Sequence, residues 1–401
     1  MCKFVPKYKE ILIIEMRITY LILSFLCCII AKAEIFPYRS IASFNISSAS
    51  EAYCMMFDSE GMMWVGTNSG LKSYDGYTVK TYKSNALSPG ILPNNAIRSI
   101  VEDHQHNLWI GTRNGLVRMN RKTGLFKTYF LPSESQRIIY HLFVAKDGTL
   151  WIGTDGGLTY FNPENESFYT YTSRNAWRID ENGKKQRLNS FSVKCVAEDR
   201  NGDLLIGTWN SGLMRLKRGS NIFRSYPKLN EKNSAYSLYF DKNHHLWVGT
   251  WGHGTICISN PDNVRNPQYH QYPYITNNFD VFYKFIEDPT TNTLWACTRE
   301  GICYLDENQP QAGWKQYTQI GNTPLLYCND ISTDGAGNIW LCTQNDGILQ
   351  FTTTPSPTVE SGKSSECSYH QLCQCDSHYR REMVLARTQS IRNSTLQSRD
   401  R

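Results

Sequence analysis

Apolar and polar positions alternate along this chain in short runs of period two, and one such run returns seven times. Its clearest copy is Asn107-Leu108-Trp109-Ile110-Gly111-Thr112-Arg113-Asn114-Gly115-Leu116. With the tryptophan as ruler, the copies stand at Trp64, Trp109, Trp151, Leu205, Trp247, Trp295 and Trp340, separated by 45, 42, 54, 42, 48 and 45 residues. A large apolar residue, the tryptophan, another apolar residue and a small one follow in order, so the strand is predicted to be buried on both faces. Threonine closes it in all seven copies. Turn-forming residues precede it (Asp58 to Gly61, Asp147-Gly148, Asp199 to Gly202, Asp334 to Gly337). A short turn ending in Gly70, Gly115, Gly157, Gly212, Gly254, Gly301 or Gly347 then reverses the chain as in a hairpin. A β-branched run before each Asp turn (Ala96 to Val101) and a weaker aromatic run after the returning strand (Phe126 to Tyr129) bring the repeat to four strands.

Four strands recurring every 40 to 50 residues predict a β-propeller blade, and seven blades lie within the usual range. The fold class is therefore all-β, a seven-bladed propeller of four-stranded antiparallel blades over residues 35–351. The Gly-His and Trp-Asp marks of WD40 repeats are missing, which disfavours that subclass. The small residue after the tryptophan (Gly66, Gly111, Gly153, Gly207, Gly249, then Cys297 and Cys342) leaves room for a neighbouring sheet. The seventh copy lacks an outermost strand, and Phe36 to Phe44 is expected to supply it and remove an open edge.

Two segments stand outside the repeat. Residues 1–33 read as a secretory signal: Arg17, an apolar run of 13 residues from Ile18 to Ile30, then Ala31-Lys32-Ala33, with cleavage expected before Glu34. Either Met16 is the natural start or the signal has an extended basic N-region. Cys27 and Cys28 lack the surroundings of a lipoprotein anchor. From 352 to 401 there is no period and little large apolar surface, which predicts a disordered tail and also suits a broken reading frame. Its Cys367, His370, Cys373, Cys375 and His378 match no standard closed zinc site, and no metal or other cofactor is expected.

The formal charge of +6 suggests nucleic acid until it is divided. Residues 1–33 carry +3 (five Lys/Arg against two acids) and residues 353–401 carry +2 (seven against five), leaving the propeller near +1. That excludes a basic footprint, so nucleic acid is not an expected partner. Seven of the 13 cysteines (Cys54, Cys195, Cys257, Cys297, Cys303, Cys328 and Cys342) fall on predicted strands and read as buried thiols. Cys297 and Cys303, on consecutive strands, are the pair to test for a bridge.

The phrase Leu-Trp-Ile-Gly-Thr-x-x-Gly-Leu, the Asp turn before it, Phe-x-x-Tyr after it and Leu92-Pro93-Asn94-Asn95-Ala96-Ile97 between blades resemble the two-component regulator propeller repeat. That resemblance implies the periplasmic sensor region of a hybrid histidine kinase, one that detects oligosaccharides. It also implies a fragment, because no second propeller, membrane span, kinase core or DNA-binding part is legible in the sequence. A second propeller or another copy of this chain is then an expected partner. Two other readings stay open: a secreted propeller glycosidase or polysaccharide lyase, since fold does not settle function, and a purely structural interaction propeller.

Strand direction places the candidate site. Antiparallel order collects the interblade connections and the second-to-third-strand turns on one face, with the Asp turns on the other. That first face is expected to carry Trp209, Trp251, Arg113, Asp155 and Arg299, and to receive Trp177 and Arg178 from the long 171–189 connection. Five residues before the turn Asp, the inner strands offer Tyr53, Arg98, Lys194, Tyr236, Tyr283 and Asn329. Aromatic faces beside charged groups suit a sugar, whose C–H face stacks and whose hydroxyls hydrogen-bond. The acids mostly occupy structural turns, so no catalytic residue is assigned and the chain is read as a non-enzyme.

Overall fold

The repeated residues fold as they do because the turn, the tryptophan strand and the threonine are bonded to one another. Residues 38–40, 51–84, 90–162, 165–180, 182–188, 191–229, 234–272, 281–288, 291–307, 310–320 and 323–351 are described by the computed structural model. The expected signal and tail lie outside them. Asp58 accepts the backbone N–H groups of Glu60 (3.0 Å) and Met62 (2.9 Å) and the indole N–H of Trp64 (2.7 Å). Asp103, Asp241 and Asp334 hold Trp109, Trp247 and Trp340 in the same way. At the other end of the strand, all seven threonines (Thr67, Thr112, Thr154, Thr208, Thr250, Thr298 and Thr343) donate to the carbonyl of the turn-ending glycine at 2.7–3.0 Å. One buried hydroxyl thus closes each hairpin.

Seven antiparallel blades result. Their inner strands are Ala52–Phe57, Ile97–Glu102, Ile139–Val144, Ser192–Glu198, Ala235–Phe240, Phe282–Asp288 and Cys328–Thr333, each flanked by the next, and the seventh by the first. The seventh blade takes its outer strand from Tyr38–Ser40, which pairs antiparallel with Ile348–Phe351. Apolar clusters fill the spaces between adjacent blades, such as Leu71, Ile97 and Ile110 between the first two. The small residue after the tryptophan is required there: a Cβ on Gly249 would stand 2.2 Å from Ser237 Oγ and 2.8 Å from the carbonyl of Phe282 in the next blade.

One expectation is corrected here. Asp147 is not the third blade's counterpart of Asp58; Ala145 is, and Asp147, two residues on, pairs at the surface with Arg218. The strand cysteines are buried free thiols, as expected, and Cys297 and Cys303, the pair singled out for testing, form no bridge. Cys297 pairs in register with Ile302 and Cys303 with Ala296, so they face opposite sides of the blade, and all seven described cysteines are buried and free.

Ala145 leaves the buried indole N–H of Trp151 without an acceptor. Ala145→Asp, restoring the carboxylate of the other blades, is expected to raise unfolding free energy by roughly 1 kcal/mol. Denaturant midpoints of the parent, this variant, Trp151→Phe and the double variant test it. Absence of coupling between positions 145 and 151 would show that no such bond forms.

Candidate functional site

Every inner strand carries a β-bulge at one place. Pairing slips between Ala52 and Cys54, Ile97 and Ser99, Ile139 and His141, Val193 and Cys195, Ala235 and Ser237, Phe282 and Lys284, and Cys328 and Asp330. The residues left over are Tyr53, Arg98, Tyr140, Lys194, Tyr236, Tyr283 and Asn329. A bulge frees one residue from the ladder and re-aims its side chain. Repeated around the ring, it sets seven side chains at the axial mouth. The residue after the closing threonine joins them in several blades, because its N–H bonds to the start of the same blade's inner strand: Asn68 to Glu51 O, Arg113 to Ala96 O, Trp251 to Ser234 O and Gln344 to Tyr327 O.

The side chains meet in two groups. On one side Trp209 and Trp251 pack edge to face (5.1 Å between centroids), Trp251 meets Tyr236 (5.2 Å), and Tyr236 meets Tyr283 (5.7 Å). On the other, Arg98 lies 3.9 Å from the ring centre of Tyr53 and Lys194 lies 3.3 Å from that of Tyr140. Lys194 joins the groups, 5.9 Å from the ring of Trp209 and 3.2 Å from Asp155. Asp155 also accepts from Tyr140 (2.7 Å) and Ser192 (2.5 Å). Burial works against its ionised form, but these donors and Lys194 outweigh it and hold the carboxyl below its usual range. Burial and the bond to Asp155 push the Tyr140 phenol up to about 12. Arg113 and Arg299 are exposed at the rim, Arg299 donating to Tyr327 Oη at 3.1 Å.

Trp177 and Arg178 are not part of this arrangement. Their connection forms a hairpin, Trp177–Ile179 with Lys185–Arg187, which adds two strands to the outer edge of the fourth blade. Trp177–Ile179 runs parallel to Ile222–Ser225, with Trp177 opposite Ile222 at the end nearer the Asp turns. Lys185 and Arg187 cover the indole there (5.0 and 4.8 Å). Tyr140, conversely, belongs to the mouth but escapes a count back from the turn Asp, because its blade has Ala145 there. Counting eleven back from Trp151 finds it, as the same count from Trp64 finds Tyr53.

One layer below the mouth, Lys284 and Asp330 form an ion pair (2.5 Å). Protein surrounds Lys284, yet its side chain keeps 41% of its surface accessible. His141 shares that layer; burial, and then the charge of Lys284, push its pKa down to about 4. Among the described residues no group of His, Cys, Asp and Glu could hold a metal ion, and no helix is long and apolar enough to cross a membrane.

Fold and mouth together define a closed seven-bladed propeller with an axial site built by one bulge per blade. Four of its repeat segments match the model of the two-component regulator propeller, over residues 47–69, 91–114, 133–156 and 231–252. No curated protein matches the chain in sequence. Among solved structures it resembles the extracellular domains assigned to two hybrid two-component systems of B. thetaiotaomicron, BT4673 (22% identity, TM-score 0.64) and BT3049 (21%, 0.65). The alignments cover 80% of this chain but only 40% and 42% of theirs. The virginiamycin B lyase of Staphylococcus aureus also matches, at 14% identity and TM-score 0.61, over 80% of this chain and all of that one (100%). At these identities the likeness concerns the fold.

Proposed function

We propose that the mouth is the ligand site of a sensor propeller working in the periplasm or outside the cell, that its ligand is an oligosaccharide, and that it performs no catalysis. The observation that carries this reading is the joined wall of Trp209, Trp251, Tyr236 and Tyr283 beside the Lys194–Asp155 pair. Sugars need such a combination of flat apolar faces and fixed polar groups. The extracellular sensor domains that share the fold support it. A chain spanning about 40% of their length also fits a propeller that works against a second one or another copy of itself.

Hydrolysis is disfavoured by the acids at the mouth. A glycosidase requires a carboxyl with a raised pKa to protonate the leaving group, and a second one facing it. Asp155 is held the other way, by three donors, and Glu51 is bonded to Tyr53 (2.5 Å) and Gln344 (2.7 Å). Asp346, in the seventh blade's turn on this face, is raised by burial, but neither Asp155 nor Glu51 is free to act as its partner.

Titration with mixed oligosaccharides should change the tryptophan fluorescence of the purified protein and leave the sugars uncleaved. Trp209→Ala and Trp251→Ala are each expected to weaken binding roughly 10- to 100-fold, the loss of one stacked aromatic face. Circular dichroism confirms that the variants fold. Affinity unchanged by both would place the site elsewhere, and released reducing ends would restore the enzyme reading.

A further inference from the structure

The mouth is organised by pairs of blades, and the pairing divides its chemistry. In the first pair a tyrosine from one blade carries the cation of the next, Tyr53 under Arg98; in the second, Tyr140 lies under Lys194. In the third, Tyr236 meets Tyr283 instead of a cation. The cations stacked on tyrosines therefore stand in the second and fourth blades and the joined aromatic wall in the fourth to sixth, with Arg299 of the sixth blade donating to Tyr327 Oη.

The cations of the first side are held in place but not neutralised. Arg98 is fixed over its tyrosine at 3.9 Å. Arg113 is tied to the same end of the same blade by its N–H bond to Ala96 O, and its charge and that of Arg98 both act on the Tyr53 and Tyr140 phenols. Among the described residues neither guanidinium has a carboxylate partner. The acids nearby are committed elsewhere: Asp155 to Lys194, Tyr140 and Ser192, and Glu51 to Tyr53 and Gln344. Two guanidinium groups that act on the same two phenols and have no counter-ion repel each other, and an anion between them relieves that repulsion. Their planar forks match a carboxylate or a sulfate through paired hydrogen bonds.

Building on the sensor reading, we propose that the ligand is an acidic oligosaccharide, with a uronate carboxylate or a sulfate ester held by Arg98 and Arg113 and a sugar ring against Trp251 and Tyr236. The two sides of the mouth then read two features of one ligand, and neutral glycans satisfy only one of them.

Matched pairs of probes test this by calorimetry: trigalacturonate against its methyl ester, and 6-sulfated N-acetyllactosamine against unsulfated N-acetyllactosamine. At least one acidic member should bind ten times or more tighter than its neutral match, and 0.5 M salt should shrink that advantage; which pair responds identifies the anion. Arg98→Gln and Arg113→Gln should each remove most of the preference. Arg113→Glu, at an exposed position that folding does not depend on, should reverse it. Equal binding of acidic and neutral members, or a preference that survives all three variants, overturns the proposal while leaving the sensor reading intact. If tryptophan fluorescence and calorimetry detect no glycan of either kind, the sensor reading fails and this inference with it.

Discussion

Replacing Asp330 with alanine is expected to lower the unfolding free energy by roughly 3 kcal/mol, the largest loss foreseen for any single side chain. The carboxylate is buried and accepts from Met55 N at 2.8 Å and Ile331 N at 2.7 Å, while pairing with Lys284 at 2.5 Å. It therefore ties the sixth blade to the seventh and the seventh to the first, where the ring closes. Alanine would leave the Met55 N–H without an acceptor and Lys284 without a counter-ion. Burial presses the Lys284 pKa down and Asp330 more than compensates, so at present it is raised; the variant should reverse that direction. The figure sits at the low end for a broken buried pair because the Lys284 side chain is 41% accessible and its charge is partly screened. Asp330→Asn keeps one acceptor for Met55 and should lose about half as much. In the Asn background Lys284→Met should cost little, since the charge it removes has already lost its partner. Urea denaturation of the single and double variants reads the coupling, and a loss below about 1 kcal/mol for Asp330→Ala would mean that water replaces the carboxylate.

The blades were legible because the features that define them recur locally. The tryptophan, the threonine and the turn glycine lie within ten residues of one another, and the threonine closes the hairpin on the glycine carbonyl seven times over while the indole bonds the turn carboxylate in four blades. What escaped depends on comparing blades rather than on any one of them. The bulge that aims Tyr53, Arg98 and their counterparts leaves no mark in composition, and the blade whose turn Asp is Ala145 hid Tyr140. Pairing between blades was also invisible to a single-repeat reading. Glu102, Glu198 and Glu287 each accept the N–H of the residue that begins the previous blade's turn, Ser59 (2.7 Å), Lys146 (2.7 Å) and Lys242 (3.0 Å). These glutamates stand in the second, fourth and sixth blades, the same blades that supply Arg98, Lys194 and Tyr283 to the mouth. Trp177 was misplaced for a different reason: a long connection was taken to stay on the face where it begins, whereas its β-branched and aromatic residues find an open sheet edge on the rim.

Acidification should destabilise the propeller through His141 in a window above the one in which Asp147 and Asp155 titrate, whereas Asp199, Glu307 and Asp346, raised by burial, act there with the opposite sign. Nδ1 of this ring is buried and has no hydrogen-bond partner, and the folded pKa of about 4 lies below the ordinary value of 6.5. The unfolded chain thus takes up the proton more readily than the folded one between those two values, and stability rises with pH wherever that holds. The contribution of neutral His141 is complete above pH 6.5 and is lost as pH falls towards 4. The shift corresponds to roughly 3 kcal/mol, reduced to about 2 because the ring is not fully buried. Asp147 and Asp155, whose pKa values are lowered, behave oppositely in range: their stabilisation is intact above the ordinary carboxylate pKa and disappears only below it. His141→Gln, which keeps a polar side chain of similar size and cannot titrate, should remove the loss between pH 6.5 and 4.5 and leave the steeper loss below pH 4 unchanged. Denaturant midpoints measured in half-unit steps from pH 7 to 3.5 separate the two. Parallel curves for the parent and the variant above pH 4.5 would show that His141 takes its proton in the folded protein as easily as in the unfolded chain.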